Sequence, residues 1–101
     1  MTPVQVQIQL LHPDAQLPSY AYGSDAGADL YSVDDITIMP GKRAYVQTGL
    51  ALAIPDGYAG LILPRSGNAL RYGVTLANAP GLIDSGYRGP LMCLLINHGE
   101  D

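Results

Sequence analysis

The sequence predicts an all-β domain, mostly antiparallel, folded as a jelly roll or β-barrel. Apolar residues alternate with glutamine over 4–10, the period-two pattern of a half-buried strand, and shorter apolar runs recur along the chain. The 12 Gly and 8 Pro of the 101 residues separate these runs with turn signals. No segment keeps a helical period over ten residues, so at most one short helical turn is expected, at 68–71.

The other strands are predicted from apolar runs that lie between turn residues. Pro40-Gly41 has the order of a type II turn, and Pro55-Asp56-Gly57 is typical of a hairpin turn. The stretch 79–89 predicts a tight reversal of the β-chain. The predicted strands span 36–39, 43–48, 50–54, 58–63, 74–76 and 91–97, and a short strand follows the small residues that begin 26–32.

Length and charge limit the possible functions. A chain of 101 residues predicts a single domain over 1–101. The net charge of −4 argues against a nucleic-acid surface, which would need a basic stripe. Arg65, Arg71 and Arg88 nevertheless fall in a segment whose only acid is Asp84, which favours a small anionic ligand such as a phosphate. The alternative is that these arginines form solvated or interface ion pairs.

The sequence also predicts a soluble, cytoplasmic protein with no membrane partner. No apolar run approaches the ~18 residues of a membrane span, and the start has neither the basic region nor the apolar core of a signal peptide. Cys93, the single cysteine, cannot form an internal disulfide and is interpreted as a buried small hydrophobe.

Two stretches contain residues suited to chemistry. Asp84 is a lone carboxylate on a predicted turn between apolar runs, which is a suitable place for a general base, with Tyr87 three residues later. The alternative is that Asp84 only accepts hydrogen bonds from turn amides. Arg65, Ser66 and Gly67 follow a strand and offer a guanidinium, a hydroxyl and an approachable backbone, which together predict a phosphate cradle. Asp29 interrupts an apolar pattern, so its burial would require that it be paired or lie near a cation.

Three segments together resemble the first three motifs of the trimeric dUTP diphosphatases, in order and at their usual separations. They are AGADLYS at 26–32, PRSG at 64–67 and GLIDSGYRG at 81–89. The resemblance covers essentially the whole chain and implies the family's distorted jelly-roll β fold, also described as a β-clip. It implies hydrolysis of dUTP to dUMP and pyrophosphate, which keeps uracil out of DNA and supplies dUMP for dTMP synthesis.

The resemblance also implies a role for individual residues. Asp84 matches the general base that activates a water to attack the α-phosphorus. Tyr87 matches the aromatic residue that packs on the deoxyribose, and Asn78 matches the amide that pairs with uracil. Further matches are Arg65, Ser66 and Gly67 in the triphosphate motif, Leu82 and Ile83 in the hairpin around the nucleoside, and Met92, whose backbone touches the base.

Asp29 matches an acid that acts on Mg²⁺ through water, so Mg²⁺ is the expected cofactor and dUTP the expected small-molecule partner. The other expected partner is the chain itself, because the resemblance implies a homotrimer with active sites between subunits. The family's fourth motif and its glycine-rich C-terminal arm do not occur in the sequence, so the domain is expected to be truncated. Pro90 stands where many relatives have a polar residue.

Three other interpretations stay open. The first is a catalytically impaired nucleotide-binding module of the same fold. The second is a dCTP deaminase, which shares the fold but has a glutamate where this chain has Leu94. The third is a structural or interaction trimer, against which the intact Asp84 and Arg65-Ser66-Gly67 argue.

Overall fold

The computed structural model describes residues 3–101, and within them it contains seven strands and one short helix. In chain order these are β1 (Gln7–Leu10), β2 (Arg43–Gln47), β3 (Leu50–Ala53), β4 (Gly60–Ile62), α1 (Ser66–Tyr72), β5 (Val74–Leu76), β6 (Gly81–Ile83) and β7 (Met92–Asn97). Every strand pairing is antiparallel. The strands form a β1-β3 pair, a β2-β7-β5 sheet and a β4-β6 pair, so the predicted antiparallel all-β class is confirmed without a closed barrel.

The core forms where residues from all three sheets meet. Leu50 of β3, Ile54 just after it, Ile83 of β6 and Leu91 just before β7 form one buried cluster. Partly buried apolar side chains surround this cluster, namely Ile8, Ala15, Leu30, Leu52 and Ile62. These residues belong to segments that are far apart in the sequence, so the core holds together strands that share no ladder.

The corner between β2 and β3 is fixed by hydrogen bonds to Leu91. The amide of Thr48 donates to the Leu91 carbonyl at 3.2 Å, and the amide of Leu91 donates to the Leu50 carbonyl at 2.7 Å. The Thr48 hydroxyl also donates to the Leu91 carbonyl at 2.8 Å, and Thr48 is only 2% exposed. Burying this hydroxyl is tolerable because it has a partner.

The apolar face predicted for the first strand is largely exposed. Regular pairing covers only Gln7–Leu10, and within it only Ile8 packs against the core. Val4, Val6 and Leu10 are between 41% and 54% exposed, although they alternate as a buried face would. Exposed apolar side chains of this kind are suited to burial against another protein surface.

Two predicted strands do not form. The segment 36–39 has no ladder partner among the described residues, because its Ile38 carbonyl accepts a hydrogen bond from the Asn97 side-chain amide at 2.8 Å. Within 26–32, the only β-type pairing is an isolated bridge between Ser19 and Asp29. A side-chain hydrogen bond in the first segment, and a single bridge in the second, take the place of pairing with a neighbouring strand.

The helix and the turns also depart in part from the sequence prediction. Helix α1 spans seven residues instead of one turn at 68–71, and Gly73, in the left-handed region, caps its C-terminus. The type II turn is confirmed, because the Lys42 amide donates to the Met39 carbonyl at 3.0 Å and Gly41 has a φ of 78°. The turn at 55–57 forms, but it joins strands of different sheets and so does not close a hairpin.

No helix within residues 3–101 has the length and apolar character that crossing a membrane requires.

Gly49 allows a test of the β2-β3 corner. Its φ is 73°, and a Cβ there would lie 2.8 Å from the Ala15 Cβ and 2.9 Å from the His12 Cβ. Gly49→Ala should lower the free energy of unfolding by about 3 kcal/mol, since strained backbone and overpacking add. Gly57→Ala is the control, because Gly57 has a φ of 86° with nothing within 4 Å of its Cβ position. Urea unfolding should show that the control loses only about 1–2 kcal/mol of unfolding free energy. Equal losses in the two variants would contradict the packing argument.

Candidate functional site

The loop that contains Asp29 is held by Ser19. The Asp29 amide donates to the Ser19 carbonyl at 2.7 Å, and the Ser19 amide donates back at 3.3 Å. The Ser19 hydroxyl and the Tyr31 hydroxyl lie 2.5 Å apart. The main chain of Asp29 and the side chain of Tyr31 are therefore both tied to Ser19, which holds the loop that carries the carboxylate.

The end of β4 places Arg65 beside that carboxylate. Arg65 is extended, with φ −92° and ψ 126°, and it precedes α1, whose first turn contains Ser66 and Gly67. The Arg65 Nη1 lies 3.3 Å from the Asp29 Oδ1, with the two side chains 68% and 29% exposed. The fold thus brings together the predicted Asp29 and the predicted phosphate cradle, and it gives the partly buried Asp29 a cation as its partner.

A cavity of about 540 Å³ extends inward from this ion pair. Asp29, Arg65 and Asn68 lie among its polar lining residues. Its apolar lining includes Val46, Leu76, Cys93 and Leu95 from the β2-β7-β5 sheet. Partial burial raises the pKa of the Cys93 thiol by desolvation, which keeps it protonated and makes it a poor nucleophile. This agrees with the prediction of a small hydrophobe, although Cys93 is only partly buried.

The stretch after β6 forms a turn at 84–87, closed by a hydrogen bond from the Tyr87 amide to the Asp84 carbonyl at 3.1 Å. Buried Ile83 precedes the turn and buried Leu91 ends the loop that follows it. The Asp84 side chain is exposed, and within residues 3–101 its carboxylate accepts no hydrogen bond from a turn amide. The loop is therefore anchored in the core on both sides, and it presents the Asp84 carboxylate to solvent.

This turn is not part of a hairpin, because β6 pairs with β4 and the following strand β7 belongs to another sheet. Arg88 stabilises it instead. Its Nη1 donates to the carbonyls of Ser85 and Tyr87, the latter at 3.2 Å. Arg88 is therefore occupied by main-chain acceptors and contributes to the shape of the loop.

Arg65 and Asp84 lie toward opposite ends of the β4-β6 pair. Ile62 pairs with Gly81 and Gly60 pairs with Ile83, so the chain leaves β4 toward Arg65 at one end and leaves β6 toward Asp84 at the other. By this register Asp84 is level with Ala59, and the six residue steps from there to Arg65 span on the order of 20 Å when extended. The arginine group predicted from the sequence is split in the same way, since Arg88 follows Asp84.

Four other predicted site residues lie just before β6, on β6 or at the start of β7. Asn78 precedes β6, and its side-chain nitrogen lies beside Gly81, 3.7 Å from the position that a Cβ on this glycine would take. Leu82 is 64% exposed, whereas Ile83 points into the core and offers only its main chain to a ligand. Met92 is partly buried and pairs with Gln47.

The model of the dUTPase family matches residues 13–101 of this sequence. The chain belongs to the dUTPase family. A protein of Thermobifida fusca, named deoxyuridine 5'-triphosphate nucleotidohydrolase, is 54% identical over 94 residues, which make up 93% of this chain and 52% of that relative. A Clostridium tetani protein of the same name is 51% identical over 100 residues, 99% of this chain and 69% of the relative. The chain thus spans between about half and two thirds of these curated relatives.

Solved dUTPase structures share the fold. A mutant dUTPase from phage phi11 of S. aureus, described with a coordinated structural Mg(II) ion, superposes with a TM-score of 0.87 at 33% identity, over 94% of this chain and 61% of that one. A mutant dUTPase of Staphylococcus bacteriophage 80alpha, solved with dUpNHpp, also gives a TM-score of 0.87 at 33% identity, over 96% and 61% of the two chains. The distorted jelly-roll fold that the three motifs implied is therefore confirmed.

The residues that hold these motifs in place are not marked by any pattern in the sequence. Ser19 acts on the Asp29 loop through a bridge and a contact with Tyr31, and Thr48 holds Leu91. Both are small polar residues, and their partners are 12 and 43 positions away. No local pattern identifies such a residue, because its role depends on a contact that only the folded chain creates.

The ion pair between Arg65 and Asp29 should contribute little to stability, because Arg65 is 68% exposed. We expect Arg65→Gln to change the free energy of unfolding by less than about 1 kcal/mol. Asp29→Asn and the double variant complete the cycle, measured by urea unfolding at low and high salt. A coupling above about 2 kcal/mol that survives high salt would contradict this expectation.

Proposed function

We propose that this protein hydrolyses dUTP to dUMP and pyrophosphate. The observation that supports the proposal most directly is the 84–87 turn, which presents the exposed Asp84 carboxylate from a loop anchored by Ile83 and Leu91. The turn lies within the segment that matches the family. A solvent-exposed carboxylate on an anchored loop is suited to accept a proton from water.

The proposed reaction is an in-line displacement at the α-phosphorus. Asp84 accepts a proton as the water oxygen bonds to that phosphorus, and the bond to the bridging oxygen breaks to release pyrophosphate. Arg65 supplies positive charge to the triphosphate, and Ser66 and Gly67 supply a hydroxyl and main-chain amides at the exposed start of α1. Catalysis of this type depends mainly on positioning and on the stabilisation of charge.

Mg²⁺ is the proposed cofactor, with Asp29 as its ligand through water. Within residues 3–101, no group of three or more His, Cys, Asp or Glu residues could enclose a metal. A single carboxylate fits an ion that keeps most of its waters and binds largely to phosphate oxygens. The bound ion would neutralise triphosphate charge. In the free protein Asp29 has Arg65 as its partner, so both side chains are already directed at the same point.

Recognition of the nucleoside is assigned to the surroundings of β6. Tyr87 would pack on the deoxyribose and exclude a 2′-hydroxyl, and Asn78 would pair with the uracil edge. Leu82, exposed on β6, and the main chain of Ile83 would form the wall, with the Met92 backbone near the base. A pocket that rejects an added hydroxyl by steric exclusion needs an aromatic group held firmly in place.

The active site is proposed to form between subunits of a homotrimer. Within one chain, Arg65 and Asp84 are directed toward opposite ends of the β4-β6 pair. One nucleotide cannot easily contact both from the same chain, whereas the Arg65 of one subunit can face the Asp84 of another. The exposed apolar side chains before and within β1 and on β4 and β6 offer surface for such contacts.

A nucleotide-binding module without turnover is the second candidate, favoured by the separation of Arg65 from Asp84 within one chain. Deamination of dCTP is disfavoured, because the position that would need a glutamate holds Leu94, an apolar residue paired with Tyr45. Product analysis with each dNTP and Mg²⁺ separates the three activities. dUMP with pyrophosphate indicates the diphosphatase, dUTP from dCTP indicates the deaminase, and binding without turnover indicates the module.

Asp84→Asn should lower the turnover of dUTP by ~10²–10⁴-fold, because the amide keeps the shape of the side chain but cannot accept the proton. Binding of dUTP should persist. Asp56→Asn is the control, since Asp56 is another exposed acid on a turn. Release of pyrophosphate measures turnover, and near-normal release by the Asp84 variant would refute the role of this residue.

Mixing two inactive variants should test the shared site. Ser66→Ala and Asp84→Asn chains, mixed in equal amounts and allowed to exchange subunits, should recover about a quarter of the wild-type turnover. One site in four then takes its intact Ser66 from an Asp84→Asn chain and its intact Asp84 from a Ser66→Ala chain. Each variant exchanged with itself is the control. A monomer in sedimentation, or no recovery after demonstrated exchange, would contradict the proposal.

A further inference from the structure

The ring of Tyr87 lies folded back over the main chain of Gly89. Its hydroxyl donates to the Pro90 carbonyl at 2.7 Å. The amide of the same residue donates to the Asp84 carbonyl, so both the main chain and the tip of the side chain are held within the loop. Because Tyr87 is 43% exposed, part of the ring surface still faces outward, where a ligand could contact it.

Gly89 leaves the space that this arrangement needs. A Cβ at this position would lie 2.7 Å from the Tyr87 hydroxyl oxygen, 2.9 Å from Cζ and 3.1 Å from Cε1. Contacts this short are far inside van der Waals separation, so the ring would have to move. An aromatic ring cannot bend to relieve such a contact, and its displacement would break the hydrogen bond to Pro90.

Gly86 in the same loop provides a contrast. A Cβ at Gly86 would meet nothing within 4 Å, and its φ lies outside the left-handed region. Alanine at Gly86 therefore fits without any shift, whereas alanine at Gly89 displaces the Tyr87 ring, although both glycines flank Tyr87. The requirement at Gly89 is for space under one ring and not for flexibility of the loop.

We propose that Gly89 is a positioning residue that fixes the orientation of the Tyr87 ring and thereby sets the discrimination between deoxyribose and ribose nucleotides. This inference rests on the proposed dUTP hydrolysis and deepens it. Gly89 acts only through Tyr87 and does not touch the substrate. The Pro90 carbonyl acts in the same way, as the acceptor that holds the ring in place.

Gly89→Ala should lower the ratio of kcat/KM for dUTP to that for UTP by about ten-fold or more, because a displaced ring no longer occupies the space of the 2′-hydroxyl. The kcat for dUTP should fall by a smaller factor than the ratio does, because Asp84 precedes the affected part of the loop. Gly86→Ala is the matched control and should leave the ratio unchanged. An unchanged ratio in Gly89→Ala would overturn the proposal.

A double variant distinguishes action through Tyr87 from a general loosening of the loop. Tyr87→Ala removes the ring, so adding Gly89→Ala should cause no further change in the ratio. Additive losses would show that Gly89 acts independently and would overturn the positioning role. Tyr87→Phe, which keeps the ring and loses the hydroxyl, should lower the ratio less than Tyr87→Ala.

Ring position can be measured without activity. Nuclear Overhauser contacts between the Tyr87 ring protons and the Gly89 α-protons should be strong in the wild type and in Gly86→Ala. Absence of these contacts in the wild type, or unchanged ring shifts in Gly89→Ala, would overturn the proposal whatever the turnover. If the wild type forms no dUMP while the contacts are present, the proposed function and the discrimination role fail, and the packing of the ring on Gly89 stands.

Discussion

The hydrogen bonds between Thr48 and Leu91 are the interaction on which the rest of the structure depends. They join the β2-β3 corner to the start of β7, and they are buried beside Leu50 in the core. Their strength comes from burial, since an unpaired Thr48 hydroxyl would cost ~1–3 kcal/mol. The loop with Asp84 ends at Leu91, so the same bonds that join the β1-β3 pair to the β2-β7-β5 sheet also fix one end of the candidate site.

Most of the fold could be predicted because its signals are local. Alternation and turn residues identified the strands that became β2, β3, β5 and β7, with no end shifted by more than one position. The strand predicted at 36–39 failed for a reason the sequence does not display: its carbonyl is satisfied by the side chain of Asn97. Period-two patterning reports which face is apolar, and it does not report whether another strand lies alongside.

The candidate site was predictable in composition and less so in arrangement. The pairing of Asp29 with a cation followed from an acid in an apolar pattern, and the partner proved to be Arg65. The separation of Arg65 from Asp84 could not be inferred, because it depends on β4 pairing with β6 in one register. Gly89 was visible only as a turn residue, since the contact that matters is with the ring two positions earlier.

The exposure of helix α1 has a consequence for binding. The helix has seven residues, none of them buried, and no side chain caps its start. Helices of this length are marginal in water without packing, so we expect α1 to exchange between a helical form and a frayed form within the folded chain. A triphosphate that needs the amides near Ser66 in their helical positions would bind only the helical form. Its apparent affinity would then be lowered in proportion to the helical fraction, and any surface that covers and orders α1 would restore that affinity without touching the ligand.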